Sequence, residues 1–341
     1  MTRKTPTLQE WKKLYEKTIE FKKQECWNWM WDNDIFGVQN PETGMIGYCI
    51  VMGGGGEQFG LGVYRGTEGL NGVLSIISGD IGPTDMDALH IQNCLIASFE
   101  DRKFLQKEDH DIIKKLGLKF RGHNEWPLFR DYTPGYHPWF INSDDAQFLT
   151  IALEQSIEVA LKYKDNPDSL VPNKDSRFLV RIPVRKEKGM EWKEKWLKPK
   201  PLESRKINDV PIDNKSIEKI KNVKKGQNCI WEIGAFYTPQ AVRDRSERPY
   251  YPKMILFMDH HSGLIMSYSM SKQGEYKSDF IKEFFKLVKN VKFLPEAIFA
   301  SNEEILELLL PITNELEIEL YKTDDLEMLD EAYSAMFDFF R

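Results

Sequence analysis

The clearest structural pattern in the C-terminal part of the chain is YPKMILFMDHHSGLIMSYSM, residues 251–270. Its two apolar runs, 251–258 and 264–270, flank a polar turn at 259–263 that ends in a glycine. Apolar runs of this length on either side of a short, glycine-containing turn are typical of a β-hairpin. We therefore predict two antiparallel strands in this stretch.

The segments around this hairpin extend the pattern into a complete domain. A third apolar run precedes it, and after it short apolar runs alternate with amphipathic segments that begin with helix-capping residues. The further strands are predicted at 229–237, 297–300 and 317–320, and the helices begin at Ser278, Ser301 and Asp324. The order β-β-β-α-β-α-β-α predicts an α/β domain with a mixed sheet and helices on its faces.

The N-terminal half mixes helices and strands in a different order, which predicts an α+β domain without internal repeats. Its first helix opens with a capping box, Thr7 with Glu10. The strands are predicted at 45–52, 59–64, 93–99 and 178–184 and the helices at 108–116 and 144–163, the last capped by Ser143, whereas 73–77 fits a helix or a strand. The glycine run 53–56 has no Lys-Ser/Thr after it, so a hairpin loop is favoured over a phosphate-binding loop.

Length and charge divide the chain into two domains and a connection. Its 341 residues, with 47 Lys+Arg against 53 Asp+Glu and 41% hydrophobic residues, suffice for two cores and exclude a disordered or disulfide-stapled chain. Residues 181–225 carry 15 basic and 7 acidic residues, a net charge of +8, and several prolines. We predict an α+β domain at 1–200, a basic linker at 201–226 and the α/β domain at 227–341.

The cysteines and the apolar segments indicate the compartment. Cys26, Cys49, Cys94 and Cys229 are far apart and lack zinc-ligand spacing, so we expect buried thiols in a reducing cytoplasm and no metal site. Nowhere do 18 apolar residues run together, and the basic N-terminus leads into a helical pattern instead of a signal peptide. The expectation is a cytoplasmic protein that does not contact a membrane.

The C-terminal order of elements resembles the RNase H-like core of integrase-type enzymes, and short motifs accompany the likeness. Residues 231–234, Trp-Glu-Ile-Gly, stand where those enzymes carry Trp-x-x-Asp, and residues 300–302, Ala-Ser-Asn, stand where they carry Asp-Asn. Residues 258–263 match their second strand and turn, and residues 329–332 can supply the Glu of their last helix. The likeness covers about a third of the chain and implies a mixed-sheet RNase H-like fold.

Two alternatives follow because the expected Asp residues are replaced by Gly234 and Ser301. Two-metal phosphodiester hydrolysis needs carboxylates that cluster at adjacent strand ends. Glu232, Asp259 and Glu331 would rebuild such a site as catalytic residues, with a divalent metal such as Mg²⁺ as cofactor. The preferred alternative is a domain that keeps the fold without a catalytic centre and without a cofactor.

The chain as a whole also resembles an uncharacterised bacterial family of two-domain proteins, known as domains of unknown function. The segments that carry this likeness are 51–61, 98–102, 126–130 and 134–139. The likeness spans most of the chain and implies no reaction.

Aromatic and basic residues are concentrated between residues 120 and 140. The candidate ligand-binding residues are Trp126, Phe129, Arg130, Tyr136 and Trp139. Rings beside arginine suit a pocket for a planar or anionic ligand, through stacking and bidentate hydrogen bonds. The alternative is an ordered loop over a core, with its rings buried and Arg130 paired with Glu100 or Asp101.

These observations favour a non-catalytic binding or interaction protein over an enzyme, and a metal-dependent nuclease or phosphoesterase is the alternative. The partner is unknown, and a protein is the kind of partner we consider first. Nucleic acid is not favoured, because residues 301–341 carry 12 acidic and 2 basic residues, a net charge of −10 that would repel a phosphate backbone. A third hypothesis is that the +8 segment, 181–225, contacts nucleic acid.

Overall fold

The computed structural model describes residues 4–82, 87–172, 175–187, 189–202, 212, 214–244, 247–272 and 274–340. The chain divides into two compact units. Unit 1 comprises Met1–Pro134 and Pro138–Leu202, and unit 2 comprises Gly135–His137 and Glu203–Arg341. The predicted linker comprises residues 201–226, and most of its first half lies outside the described residues. The predicted domain limits stay predictions.

Unit 1 contains a mixed sheet flanked by helices. Its strands are β1 (Phe36–Gln39), β2 (Ile46–Met52), β3 (Phe59–Arg65), β4 (Cys94–Glu100), β5 (Trp126–Tyr132), β6 (Phe178–Lys186) and β7 (Gly189–Leu197). Its helices are α1 (Leu8–Gln24), α2 (Gly66–Ile77), α3 (Asp87–His90), α4 (Lys107–Lys115) and α5 (Ser143–Lys162). The strand order is β5-β4-β3-β2-β1-β6-β7, and neighbours are antiparallel except β1 and β6, which are parallel.

Each face of this sheet has its own core, because successive side chains along a strand point to opposite faces. Along β2, Cys49 and Val51 join the core that includes α1 and α5, whereas Tyr48 and Ile50 join the core under α2. The helices bury their apolar stripes against these two faces. Each fully buried large side chain stabilises the fold by about 1.5–3 kcal/mol.

Unit 2 contains a second mixed sheet, in which antiparallel and parallel pairs meet at one central strand. Its strands are β8 (Ile230–Tyr237), β9 (Lys253–Asp259), β10 (Ile265–Ser271), β11 (Ala297–Ala300) and β12 (Glu319–Lys322), and its helices are α6 (Asn214–Ile220), α7 (Tyr276–Val291), α8 (Glu303–Leu316) and α9 (Glu327–Phe340). The strand order is β10-β9-β8-β11-β12. The pairs β10–β9 and β9–β8 are antiparallel, whereas β8–β11 and β11–β12 are parallel.

Helices cover both faces of the second sheet. Helices α6, α7 and α8 pack with Trp231, Ile233 and Phe257 on one face. Helix α9 packs on the opposite face, where Leu329 contacts a smaller core that includes Leu256. From β8 onward, the elements follow the order predicted from the sequence.

Several details of the predicted elements differ from the structure. The ambiguous segment 73–77 belongs to helix α2. Helix α5 is capped by Asn142 and not by Ser143, because Asn142 accepts the backbone N–H of Asp145. Likewise the cap of α8 is Asn302 and not Ser301, since Asn302 accepts the N–H groups at the start of the helix. Helix α6 lies within the predicted linker.

Other predicted details are confirmed. Thr7 and Glu10 form the capping box of α1. The glycine run 53–56 connects the antiparallel strands β2 and β3 as a hairpin loop. The four cysteines are buried and have free thiols. Within the described ranges, every helix is too short or too polar to cross a membrane.

Candidate functional site

Glu232 is the first of the three carboxylates predicted for a rebuilt catalytic site, and it lies near the beginning of β8. Its side chain is completely buried, on the face of the sheet that α9 covers. Glu232 Oε1 lies 2.5 Å from Nδ1 of His260, and Oε2 accepts the backbone N–H of Leu329 at 3.0 Å. Both carboxylate oxygens are therefore engaged by groups of the protein.

Asp259 lies on the opposite face from Glu232. It is paired in register with Trp231, and directly paired residues of an antiparallel ladder point to the same face. Its Oδ1 accepts the N–H and the hydroxyl of Ser262, and these bonds lower the pKa of Asp259 although partial burial opposes the shift. In this arrangement Asp259 holds the turn between β9 and β10.

Glu331 is exposed on α9, and the apolar residue two positions before it faces the sheet instead. Leu329 packs so closely on Gly234 that a Cβ placed at Gly234 would lie 2.2 Å from Leu329 Cδ2. Gly234 is the position where the resemblance to integrases expects Asp. The space that an Asp side chain would need at position 234 is filled by the side chain of Leu329.

The donor set of this region does not fit a two-metal centre. Such a centre needs several carboxylates directed at one point, whereas Glu232 and Asp259 lie on opposite faces of the sheet and Glu331 is exposed. Across the residues that the structure describes, no three His, Cys, Asp or Glu side chains are grouped to hold a metal ion. The catalytic role of these three residues stays a prediction.

The predicted ligand-binding residues Phe129 and Arg130 are buried in β5. The Arg130 guanidinium donates to both carboxylate oxygens of Asp109 in α4, at 2.9 and 2.6 Å, and lies 4.7 Å from the centre of the Phe140 ring. The predicted pairing of Arg130 with Glu100 or Asp101 is therefore wrong. Asp101 instead accepts from His123 and from the N–H of Asn124.

The remaining predicted ligand-binding residues belong to different units. Tyr136 belongs to unit 2, where it pairs with Tyr250 and its ring lies 5.4 Å from the Arg248 guanidinium. Trp139 is half-buried in unit 1, and its ring meets the ring of Phe140 edge to face. Trp126 alone of the five predicted residues lines the cavity described next.

This cavity, which we call the basic cavity, opens between α4, the loop 117–122 and the start of β5, and its volume is about 680 Å³. Its wall combines the aromatic ring of Trp126 with four cationic side chains and a histidine. These residues are Arg102, His110, Lys114, Lys119 and Arg121. The candidate residues predicted from the sequence do not include this set, although the spacing of His110 and Lys114 places these two on one helix face.

Comparison with solved structures finds weak similarity to retroviral integrases. The catalytic core domain of HTLV-2 integrase in complex with magnesium, in its trimeric form, is 16% identical over 31% of this chain and 65% of that chain, with a TM-score of 0.25. A chain of the simian T-cell lymphotropic virus intasome in complex with PP2A regulatory subunit B56 gamma is 15% identical over 33% of this chain and 42% of that chain, with a TM-score of 0.25. The match spans less than two thirds of each of these chains.

Comparison with protein families covers most of the sequence. No curated protein matches the chain. Residues 216–337 match the family described as "Domain of unknown function (DUF6930)". Residues 11–181, which are 171 of the 341 residues, match a second family. The chain belongs to that family, described as "Domain of unknown function (DUF7309)".

Proposed function

We propose that the protein is a non-catalytic binding protein whose unit 2 is an RNase H-like domain without a catalytic centre. Support for this fold assignment comes from the order β-β-β-α-β-α-β-α and from a mixed sheet with strand order β10-β9-β8-β11-β12. Helices on both faces of that sheet agree with the same architecture. Because one fold serves many functions, the site decides the activity and the fold does not.

The observation that carries the proposal is the packing of Leu329 on Gly234. A catalytic carboxylate at position 234 would need the volume that the leucine side chain fills, since even a Cβ would approach Leu329 Cδ2 to 2.2 Å. The nearby Glu232 is enclosed by His260 and the Leu329 backbone and is shielded from solvent. A buried carboxylate whose two oxygens are both hydrogen-bonded within the protein stabilises the contact between α9 and β8 and is not accessible to a substrate.

Binding is assigned to unit 1, where the basic cavity offers charge and an aromatic surface to solvent. The protein would carry out this binding in the cytoplasm of a bacterium, a setting that fits its four free, buried thiols. The residues that line the cavity would select the ligand. A non-catalytic protein needs only to bind its ligand and does not need to stabilise a transition state.

A nuclease assay tests the non-catalytic proposal. Single-stranded, double-stranded and hybrid substrates are incubated with the full chain and Mg²⁺ or Mn²⁺, and we expect no turnover above a buffer control. Metal-dependent turnover that is lost in Glu232→Gln or Asp259→Asn, and kept in the exposed control Asp330→Asn, would overturn the proposal in favour of the nuclease alternative. The same variants must retain their circular dichroism spectra, so that loss of turnover is not loss of fold.

A further inference from the structure

We propose that the basic cavity of unit 1 binds a nucleoside phosphate, with its phosphates at the cationic wall and its base against the aromatic wall. This inference rests on the proposed function, because it names the ligand class of the binding protein.

The charge of the cavity selects an anion. Arg102, Lys114, Lys119 and Arg121 all line it, and no Asp or Glu is among the lining residues. In the part of the chain that the structure describes, none of these four cations forms an ion pair. Their charges are therefore available to a ligand, and a cationic ligand would be repelled.

The type of cation favours phosphate. A guanidinium presents a planar fork that matches two phosphate oxygens, and an ammonium adds a compact charge for a third. Arg102 and Arg121 supply two forks, and Lys114 and Lys119 supply two ammonium groups. Several phosphate oxygens can then be satisfied together, which a single carboxylate ligand would not achieve.

The ring contacts of the cavity favour a planar group beside the phosphates. Trp126 is contacted by two other rings of the cavity wall: the ring centres of His110 and Phe120 lie 5.7 and 5.9 Å from its own. A ring fixed in this way loses little conformational entropy when a ligand packs on it. Base–aromatic contact is worth about 1–3 kcal/mol per base in other proteins.

The size of the cavity is suitable for a ligand of this class. Its volume of about 680 Å³ falls within the range of roughly 300–1,000 Å³ that small-molecule sites occupy. Ile113 and Phe120 add apolar surface to the wall, on which a base can pack beside the cationic side chains. Such a division of polar and apolar contacts is what a nucleoside phosphate requires.

Isothermal titration calorimetry on the full chain tests this inference, with ATP, AMP, adenosine and inorganic phosphate as probes. We expect ATP to bind most tightly, AMP less tightly, and adenosine and phosphate at least about tenfold more weakly than ATP, because each lacks one half of the contacts. The affinity for ATP should fall as salt is raised. No binding of ATP at millimolar concentration would overturn the inference, and so would inorganic phosphate binding as tightly as ATP.

Variants locate the binding in the cavity. Lys119→Ala combined with Arg121→Ala should weaken ATP binding by at least about tenfold, since two charge-assisted contacts are lost. Trp126→Leu should weaken ATP binding by about fivefold or more and leave phosphate binding unchanged. Lys115→Ala is the matched control, because Lys115 is an exposed cation of α4 that does not line the cavity. ATP binding by the double variant at wild-type affinity would overturn the assignment.

Two further results distinguish nucleoside phosphate binding from binding of a nucleic-acid polymer and from nuclease activity of unit 2. A single-stranded oligonucleotide that binds more than about tenfold tighter than ATP would overturn it, because the surface would then serve a polymer. Nuclease turnover concerns unit 2 and would contradict the proposed function while ATP binding by the cavity is unaffected. Absence of both turnover and nucleotide binding would contradict the ligand class and leave the non-catalytic proposal standing.

Discussion

Gly234 shows, at the level of a single residue, how closely α9 packs on β8. Gly234→Ala places a Cβ within 2.2 Å of Leu329 Cδ2, and overpacking of this kind destabilises a protein by about 1–3 kcal/mol. We expect a lower midpoint in urea, compared with Gly274→Ala, where nothing lies within 4 Å of the added atom.

Gly234→Ala combined with Leu329→Ala tests whether the contact with Leu329 causes the loss of stability. The added Cβ then meets the space that the leucine has left, so the double variant should be more stable than the sum of the two single effects predicts. A strictly additive double variant would show that Gly234 is needed for another reason.

The ion pair of Arg130 and Asp109 gives a second prediction for single residues. Both side chains are more than 90% buried, so Asp109→Ala leaves a buried guanidinium without its counter-charge. Breaking a buried pair in this way costs about 3–5 kcal/mol, and chemical unfolding should show a loss of that size. Asp111→Ala, an exposed change on the same helix, should stay within about 0.5 kcal/mol of wild type. A small loss in Asp109→Ala would mean that Arg130 finds another partner.

This ion pair also marks a limit of sequence reasoning. The residues near 120–140 predict that Arg130 has either a ligand or an acidic partner, and the acidic partner is correct. Its identity depends on how α4 packs beside β5, and no local pattern encodes that packing. For the same reason the sequence predicts rings and arginines near 126, whereas the basic cavity draws most of its cations from α4 and from the loop after it.

At the scale of elements, Glu10 connects two helices of unit 1. One of its carboxylate oxygens accepts the N–H of Thr7 at 2.6 Å, and the other accepts from Ser143 and Gln147 of α5 at 2.8 and 2.6 Å. The hydrogen bond from Thr7 first, and those from Ser143 and Gln147 after it, lower the pKa of Glu10 to about 2, although partial burial opposes the shift. The folded protein therefore holds Glu10 ionised at a pH where the unfolded chain protonates it.

A depressed pKa contributes stability above the unfolded value of about 4.5, and this contribution is lost as the pH falls toward 2. Glu10→Gln keeps an acceptor for the cap but removes the charge, so its stability should depend less on pH between about 4.5 and 2 than that of wild type. Glu10→Ala should in addition lose about 0.3–1.5 kcal/mol at neutral pH. Unfolding curves at several pH values measure both effects. If the free energy of unfolding of Glu10→Gln changes with pH between about 4.5 and 2 as steeply as that of wild type, the assignment fails.

How far elements can be predicted depends on where their stabilising contacts lie. Helices α1, α7 and α8 carry periodic apolar residues along the chain, and those local signals suffice. Strand β7 is an edge strand in which three consecutive charged residues separate Trp192 from Trp196, so its residues do not alternate between apolar and polar. Its Glu194 pairs with Arg181 of β6, a contact that becomes visible only when the two strands are aligned.

For the whole molecule, the net charge of −6 is an average of opposite regions. The basic segment 181–225 uses part of its charge internally, since Arg181 pairs with Glu158 and Glu194, and Lys186 pairs with Glu191. These pairs reduce the charge that the segment offers to a polyanion. The basic cavity is smaller, but the four cations that line it have no such internal partners among the described residues. Local pairing therefore identifies the anion-binding surface better than net charge does.

The two units have separate hydrophobic cores, and this predicts separate unfolding events. The core residues on both faces of the first sheet all belong to unit 1, and those on both faces of the second sheet all belong to unit 2. Because a two-state description applies to single domains with one cooperative core, differential scanning calorimetry of the full chain should require two transitions. The residue-scale variants then assign them: Asp109→Ala should lower one transition and Gly234→Ala the other, by roughly 2–4 °C for each kcal/mol lost. A single transition that both variants shift equally would show that the units unfold together.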